Sequence, residues 1–365
     1  MSKMFAAALC ITVITVALLM GGCTGGDSEK DPTLEDLLAA TVSREDVRDL
    51  FPEPESWWPS LPQFNVGFDP APSPIAGERF WVAQSYQQVG QPSNGALETA
   101  LILFEDQAAA AKGFRDLIDI NDEGGTAVDG PSVADEWRYF TRSTEAHPYE
   151  TILRFREGPV VGRITVFSER RHEEADTLAG YAAPVVKRID KLLEGSLVAA
   201  SLPERVAELM PSDGDAEAVG PVFASAVVPP ESWAVVDLSG EPEEVRDRLV
   251  ELGATELGLR RYGVKADSDQ IVEITLFPLE NEEAAETWVQ EFIAALVPDE
   301  TMDAGDTGDL SGFTSYDGST YELQFAKGSV VGDVVCFAPF GETSSACEEP
   351  VRKLAELWYA ELPTS

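Results

Sequence analysis

The chain has 365 residues and a formal net charge of −39, with 26 Lys and Arg against 65 Asp and Glu. A nucleic-acid binder needs a basic footprint to displace counterions, so this balance excludes general DNA or RNA binding, and the same sign excludes broad docking on anionic lipid headgroups. Whole-chain disorder is excluded too, because 44% hydrophobic residues, with seven Trp and 17 Phe, can bury a core.

The only charged residue among the first 22 is Lys3, followed by an apolar run from Phe5 to Met20 and then Gly21-Gly22-Cys23. A basic start, a short apolar stretch and small residues before a cut site read as a secretory signal. The run is shorter than the roughly 20 apolar residues that a bilayer span wants. This segment resembles a bacterial or archaeal lipoprotein signal, with Met20-Gly21-Gly22-Cys23 as its lipobox and Met20 where Leu is usual. The resemblance implies residues 1–22 as a cleaved signal peptide and a diacylglyceryl thioether on Cys23. It implies an extracytoplasmic protein held on the membrane through that lipid. Residues 23–42 follow as the lipidated Cys and a flexible tether, whose polar, Gly-rich first dozen would span about 20 Å. Of four cysteines, Cys10 leaves with the signal and Cys23 takes the lipid. Cys336 and Cys347 remain, and an even pair in an oxidising compartment reads as a disulfide.

Beyond residue 42 the chain repeats itself. Phe155, Gly158, Val160, Val161, Gly162 and Phe167 recur as Phe325, Gly328, Val330, Val331, Gly332 and Phe337, at a constant offset. Pro54-Glu55-Ser56-Trp57 recurs as Pro230-Glu231-Ser232-Trp233, and Pro184-Val185 as Pro350-Val351. The blocks keep their order, so two units are predicted, 43–198 and 199–365. In the first, strands are expected at 79–88, 97–104, 136–142, 149–155 and 160–167. Helices are expected at 107–118 and 174–193, the latter kinked or split at Pro184. The second repeats this with strands at 257–265, 270–277, 313–317, 320–326 and 330–338, and helices at 282–296 and 346–361. An extra helix is expected at 241–252.

The order β-β-α-β-β-β-α makes three successive strands antiparallel, so the predicted class is α+β, two tandem antiparallel-sheet units with the helices on one face of each. Cys336 faces the helix layer and Cys347 sits on the apolar stripe of the last helix. A bridge between them would pin helix to strand, worth about 3 kcal/mol.

No catalytic set stands out. Gly130-Pro131-Ser132 is a poor nucleophile elbow, and His147 and His172 lie in polar loops. Asp213, Asp215 and Glu217 imitate the start of a calcium loop, but Ala218 and Ala224 stand where that loop needs Gly and Glu. Asp303, Asp306 and Asp309 lack that pattern, and no metal or cofactor is expected. Trp57, Trp58 and Trp233 read as core plugs more than pocket walls. The charge pattern is more telling. Arg154 and Arg156 alternate along one strand and share a face. Arg163 lies on the partner strand and Arg138 on another, whereas the second unit has Gln324, Ala326 and Asp333 at the positions matching 154, 156 and 163. Three arrangements fit these residues: an Arg-lined site for an anion, a contact between the two sheets through Arg163 and Asp333, or an exposed face of ion pairs to Glu136 or Glu150. The sequence therefore points to a lipid-anchored, non-enzymatic protein that binds an unnamed small molecule or partner. The alternatives are a secreted hydrolase with a carboxylate site and a structural envelope protein.

Overall fold

The computed structural model describes residues 31–51, 53–65, 75–90, 95–122, 125–144, 147–211, 222–236, 241–262, 271–296, 301–308, 310–316, 320–337 and 347–363. Cys23 and the residues before it, expected as a lipoprotein signal, lie outside these, as do Asp213, Asp215, Glu217 and Asp309. Among the described residues, no helix is long and apolar enough to cross a membrane.

The protein is α+β, built on two antiparallel sheets. The first contains β1 (Trp57–Pro59), β2 (Gln63–Asn65), β3 (Glu78–Gln88), β4 (Ala96–Phe104), β5 (Thr126–Val128), β6 (Glu136–Arg142), β7 (Tyr149–Glu157) and β8 (Val160–Ser168). Its order is β1-β3-β4-β8-β7-β6-β5, with β2 also paired to β3. The second contains β9 (Val222–Val228), β10 (Leu257–Tyr262), β11 (Ile271–Pro278), β12 (Thr301–Met302), β13 (Ser311–Tyr316), β14 (Thr320–Lys327) and β15 (Val330–Phe337), in the order β9-β10-β11-β15-β14-β13-β12. The two orders correspond strand for strand from β3 and β10 onward.

The recurring Phe and Gly positions have a physical reason. Phe155 stands opposite Gly162, and Phe325 opposite Gly332, on paired strands. Each ring lies where a Cβ on the facing glycine would have to go. Gly158 and Gly328 have φ of 55° and 54° and head the two-residue turns into β8 and β15. Pro159 forbids a positive φ at the second turn position, so the first hairpin needs the turn type that puts Gly first.

The expected placement of both helices on one face is incorrect. Helix α3 (Gln107–Asp122) packs Ala110 and Phe114 against Phe104 and Val161. Helix α4 (Ala175–Leu193) packs Leu178, Val185 and Ile189 against Leu153, Val160 and Ile164. Val160 and Val161 are neighbours on one strand and point to opposite faces, so the helices cover opposite sides. The second sheet repeats this: α8 (Glu282–Ala295) lies with Val331 and α9 (Glu348–Glu361) with Val330. Burial on both sides is why β8 and β15 read as near-continuous apolar runs. Helix α4 also runs unbroken through Pro184.

Residues 33–42, expected as part of the flexible tether, belong to the folded body. Thr33 and Ser43 each close a capping box, starting α1 (Leu34–Ala39) and α2 (Arg44–Leu50). Leu34, Leu37 and Val47 join the core under α4. Arg188 of α4 donates to the carbonyl of Thr41 (2.6 Å) and to Asp46 (2.7 Å), clamping both helices down.

Residues 32–365 form one compact unit. The halves are tied through α1, whose Glu35 accepts from the amide of Ser225 on β9, while Asp36 accepts from that of Ala199. Helices α5 (Glu204–Leu209), α6 (Pro230–Ala234) and α7 (Pro242–Glu251) fill out the second half. Trp58 from the first half packs in the core beneath α7, with the guanidinium of Arg246 4.6 Å above its ring. Arg261 of β10 donates to the carbonyl of Phe64 at 2.6 Å. Trp57 and Trp58 are buried and Trp233 sets its ring edge-on to Phe277, so all three are core residues. Cys336 and Cys347 are disulfide-bonded, with Cα atoms 5.6 Å apart, pinning the start of α9 to β15.

Candidate binding site: the arginine row of the first sheet

Strand parity puts Arg138 on β6, Arg154 and Arg156 on β7, and Arg163 on β8 on the α3 side of the first sheet. Register then orders them. Arg138 pairs with Arg154, Arg154 with Arg163, Arg163 with Ala100, Ala100 with Ala83, and Ala83 with Gln63. One row across the sheet therefore holds three arginines, then two alanines. The row beside it carries Val161, Ile102 and Trp81. Short side chains next to tall ones leave a trough, and Leu117 of α3 overhangs it. The result is a cavity of about 280 Å³, bounded at its polar end by Arg154, Arg163 and Glu98, with Gln63 and Glu78 at its rim.

Like charges directly opposite on paired strands destabilise a sheet unless something compensates. The four arginines are compensated unequally. Arg156 donates to Glu136 at 2.7 Å and to Asp135 and the carbonyl of Gly158, which holds it at the hairpin and away from the cavity. Arg138 is exposed and also stands outside the cavity. Arg163 pairs with Glu98 of the neighbouring strand. The contact between Arg163 and Asp333 that the sequence allowed is thus replaced by a pair within one sheet. A fifth arginine on this face, Arg142, makes a two-pronged pair with the buried Glu150 at 2.6 and 2.8 Å.

Arg154 differs from all of these. It is only 5% exposed, it makes no hydrogen bond or ion pair to any described residue, and its Nε is buried without a partner. Burial, then the like charges of Arg163 and Arg142, lower its pKa to about 10, against a smaller opposing pull from Glu98. It stays charged at neutral pH. A guanidinium whose Nε is buried without an acceptor is costly, and such groups mark places where a ligand completes the structure.

The matching row of the second sheet is built otherwise. It runs Gly312, Gln324, Asp333, Thr275 and Leu259. Helix α8 lies directly upon it: a Cβ on Gly312 would stand 2.9 Å from Ile293 and 3.0 Å from Phe292. Gln324, Asp333 and Thr275 are all buried there. The charge reversal seen in sequence therefore separates an open cationic row from a closed one.

The rest of the described surface offers less chemistry. A larger cavity of about 380 Å³ lies beside α5 and α9. Its Arg260 is already committed to the carbonyl of Pro211 at 2.5 Å. His147 sets its ring against Phe167, and His172 Nδ1 lies 3.2 Å from the carbonyl oxygen of Glu150. Among the described residues, no three His, Cys, Asp or Glu side chains are placed to hold a metal ion. Asp303 accepts from the amide of Gly305, an ordinary loop bond. Trp81, Glu98 and Leu117, which complete the cleft, carry no sequence signal of their own. The register across β3, β4 and β8 brings Trp81 and Glu98 together, and α3 sets Leu117 beside them.

Fold and site together define an α+β protein of two antiparallel sheets, with a cleft on one that holds a buried arginine. No protein-family model matches the chain, and no curated protein matches it. Among solved structures it is similar to the extracellular domain of PknH from Mycobacterium tuberculosis. The identity is 13% and the TM-score 0.35, over 44% of this chain and 98% of that one.

Proposed function

We propose that this chain is a lipid-anchored extracytoplasmic protein that binds a small anionic ligand in the cleft between the first sheet and α3, without catalysing its conversion. The observation that carries the binding role is Arg154, a buried, charged group with no acceptor among the described residues, set at the end of a cavity. Guanidinium forks suit carboxylate and phosphate oxygens. The anchoring role is supported by the lipobox Met20-Gly21-Gly22-Cys23, and the disulfide fits an oxidising compartment.

Two measurements test this. Cys23→Ala should move the protein from the membrane pellet to the soluble fraction; equal membrane association of both forms would remove the anchor. Native mass spectrometry of protein released in mild detergent should show a discrete added mass that denaturation removes and Arg154→Met lacks. An adduct retained in full by that variant would place the ligand elsewhere.

A further inference from the structure

The cleft has two unlike ends, and their chemistry narrows the ligand. At the charged end stand two guanidiniums and one ion-paired carboxylate: Arg163 is neutralised by Glu98, which leaves Arg154 as the one uncompensated cation among the residues lining the cleft. A dianionic phosphate would bring nearly two negative charges beside Glu98, with one free positive charge to answer them. A single carboxylate matches the charge that is left over, and its two oxygens match the guanidinium fork. The other end is apolar, walled by Trp81, Ile102, Val161 and Leu117 and floored by Ala100 and Gly162. A fully hydrophilic anion would leave those walls facing water, whereas an apolar body would cover them. At about 280 Å³ the cavity takes a small ligand only.

We infer that the ligand is a small monocarboxylate with an apolar body, its carboxylate on Arg154 and its body against Trp81, Ile102 and Leu117. This rests on the cleft being the binding site. It makes the protein a receptor for short-chain or aryl carboxylic acids, and sets it apart from phosphate-binding and sugar-binding proteins.

The experiment is a calorimetric titration of the full protein, freed of any co-purified ligand by unfolding and refolding, with three probes: hexanoate, hexanamide and inorganic phosphate. Hexanoate is expected to bind at least tenfold more tightly than either of the others. Arg154→Met should lower hexanoate affinity at least tenfold while leaving hexanamide within about twofold. Phosphate binding more tightly than hexanoate, with that preference lost in Arg154→Met, would overturn the carboxylate class and leave the cleft in place. Equal affinity for hexanoate and hexanamide would overturn the role of charge. Hexanoate binding unaffected by Arg154→Met, or absent altogether, would overturn the inference. The cleft itself would fall as well if the protein before refolding carried no Arg154-dependent adduct. Leu117→Trp, which fills the apolar end and leaves Arg154 untouched, should also abolish hexanoate binding; unchanged binding would contradict the placement of the body.

Discussion

Arg154 and Arg163 face each other directly across β7 and β8, and of the two only Arg163 is hydrogen-bonded to a carboxylate. That asymmetry gives the first sheet a charge that the fold itself does not answer. Local rules of folding tend to be broken where function requires it.

Removing that charge should stabilise the empty protein. A buried ionised group without a partner costs more than an apolar side chain of similar volume. Arg154→Met is expected to raise unfolding stability by about 1–3 kcal/mol in urea titrations without ligand. The gain also has a pH signature. The folded-state pKa of Arg154 lies at about 10, below its ordinary value, so the penalty is fully present below pH 10. Above that it is relieved, because the folded protein releases the proton while the unfolded chain still holds it. The gap between variant and parent should therefore shrink as pH rises through 10.

Salt should act on ligand association in an unusual direction. The protein carries a net charge of −39, so its long-range field repels an anion approaching the cleft. Raising ionic strength to 0.15 M shortens the Debye length to about 8 Å and removes that repulsion, but leaves the buried contact to Arg154. The association rate for hexanoate in stopped-flow Trp fluorescence should rise with added salt.

The Arg188 clamp on α1 and α2 gives an acid limb to stability. Burial alone would raise the pKa of Asp46, but hydrogen bonds and charge from Arg188, with hydrogen bonds from Ser43, outweigh it and hold the carboxyl below its usual value. A lowered folded-state pKa contributes stability above the unfolded value of about 3.9. That contribution is lost as pH falls through the lower folded value. Asp46→Asn should be less stable than the parent at pH 7 by about 1–2 kcal/mol, and the two should converge as pH falls through the lowered folded-state value. Parallel curves down to pH 2 would show that the clamp carries no proton linkage.

Gly162→Ala and Gly332→Ala should each destabilise by about 1–3 kcal/mol, because the added methyl meets the rings of Phe155 and Phe325 in a filled layer. Urea midpoints should fall with unchanged slope. Reducing the Cys336–Cys347 bond should cost about 3 kcal/mol.

Much of this architecture is legible in the chain. The paired Phe-to-Gly spacings locate both β-hairpins, because a turn glycine and a ring-facing glycine are each needed at fixed distance. Parity along β7 puts Arg154 and Arg156 on one face from their spacing alone. What the sequence does not hold is which arginine is answered. Glu98 reaches Arg163 only because β4 lies beside β8, a non-local pairing separated by 65 residues. Helix placement is not legible because Val160-Val161 and Val330-Val331 bury on both sides, where alternation gives no sign. Helix α1 reads as tether because Leu34, Leu37 and Leu38 form too short an apolar run to announce itself, and its partners lie in β3, β9 and α4.

The most direct test is the side-chain NMR signal of Arg154 itself. In protein labelled with 15N-arginine, the Nε–Hε resonance missing from Arg154→Met is its own. Adding hexanoate should shift that resonance and leave those of the ion-paired Arg142 and Arg156 in place. An Arg154 resonance that stays fixed while hexanoate binds would show that the buried guanidinium is not the ligand's contact.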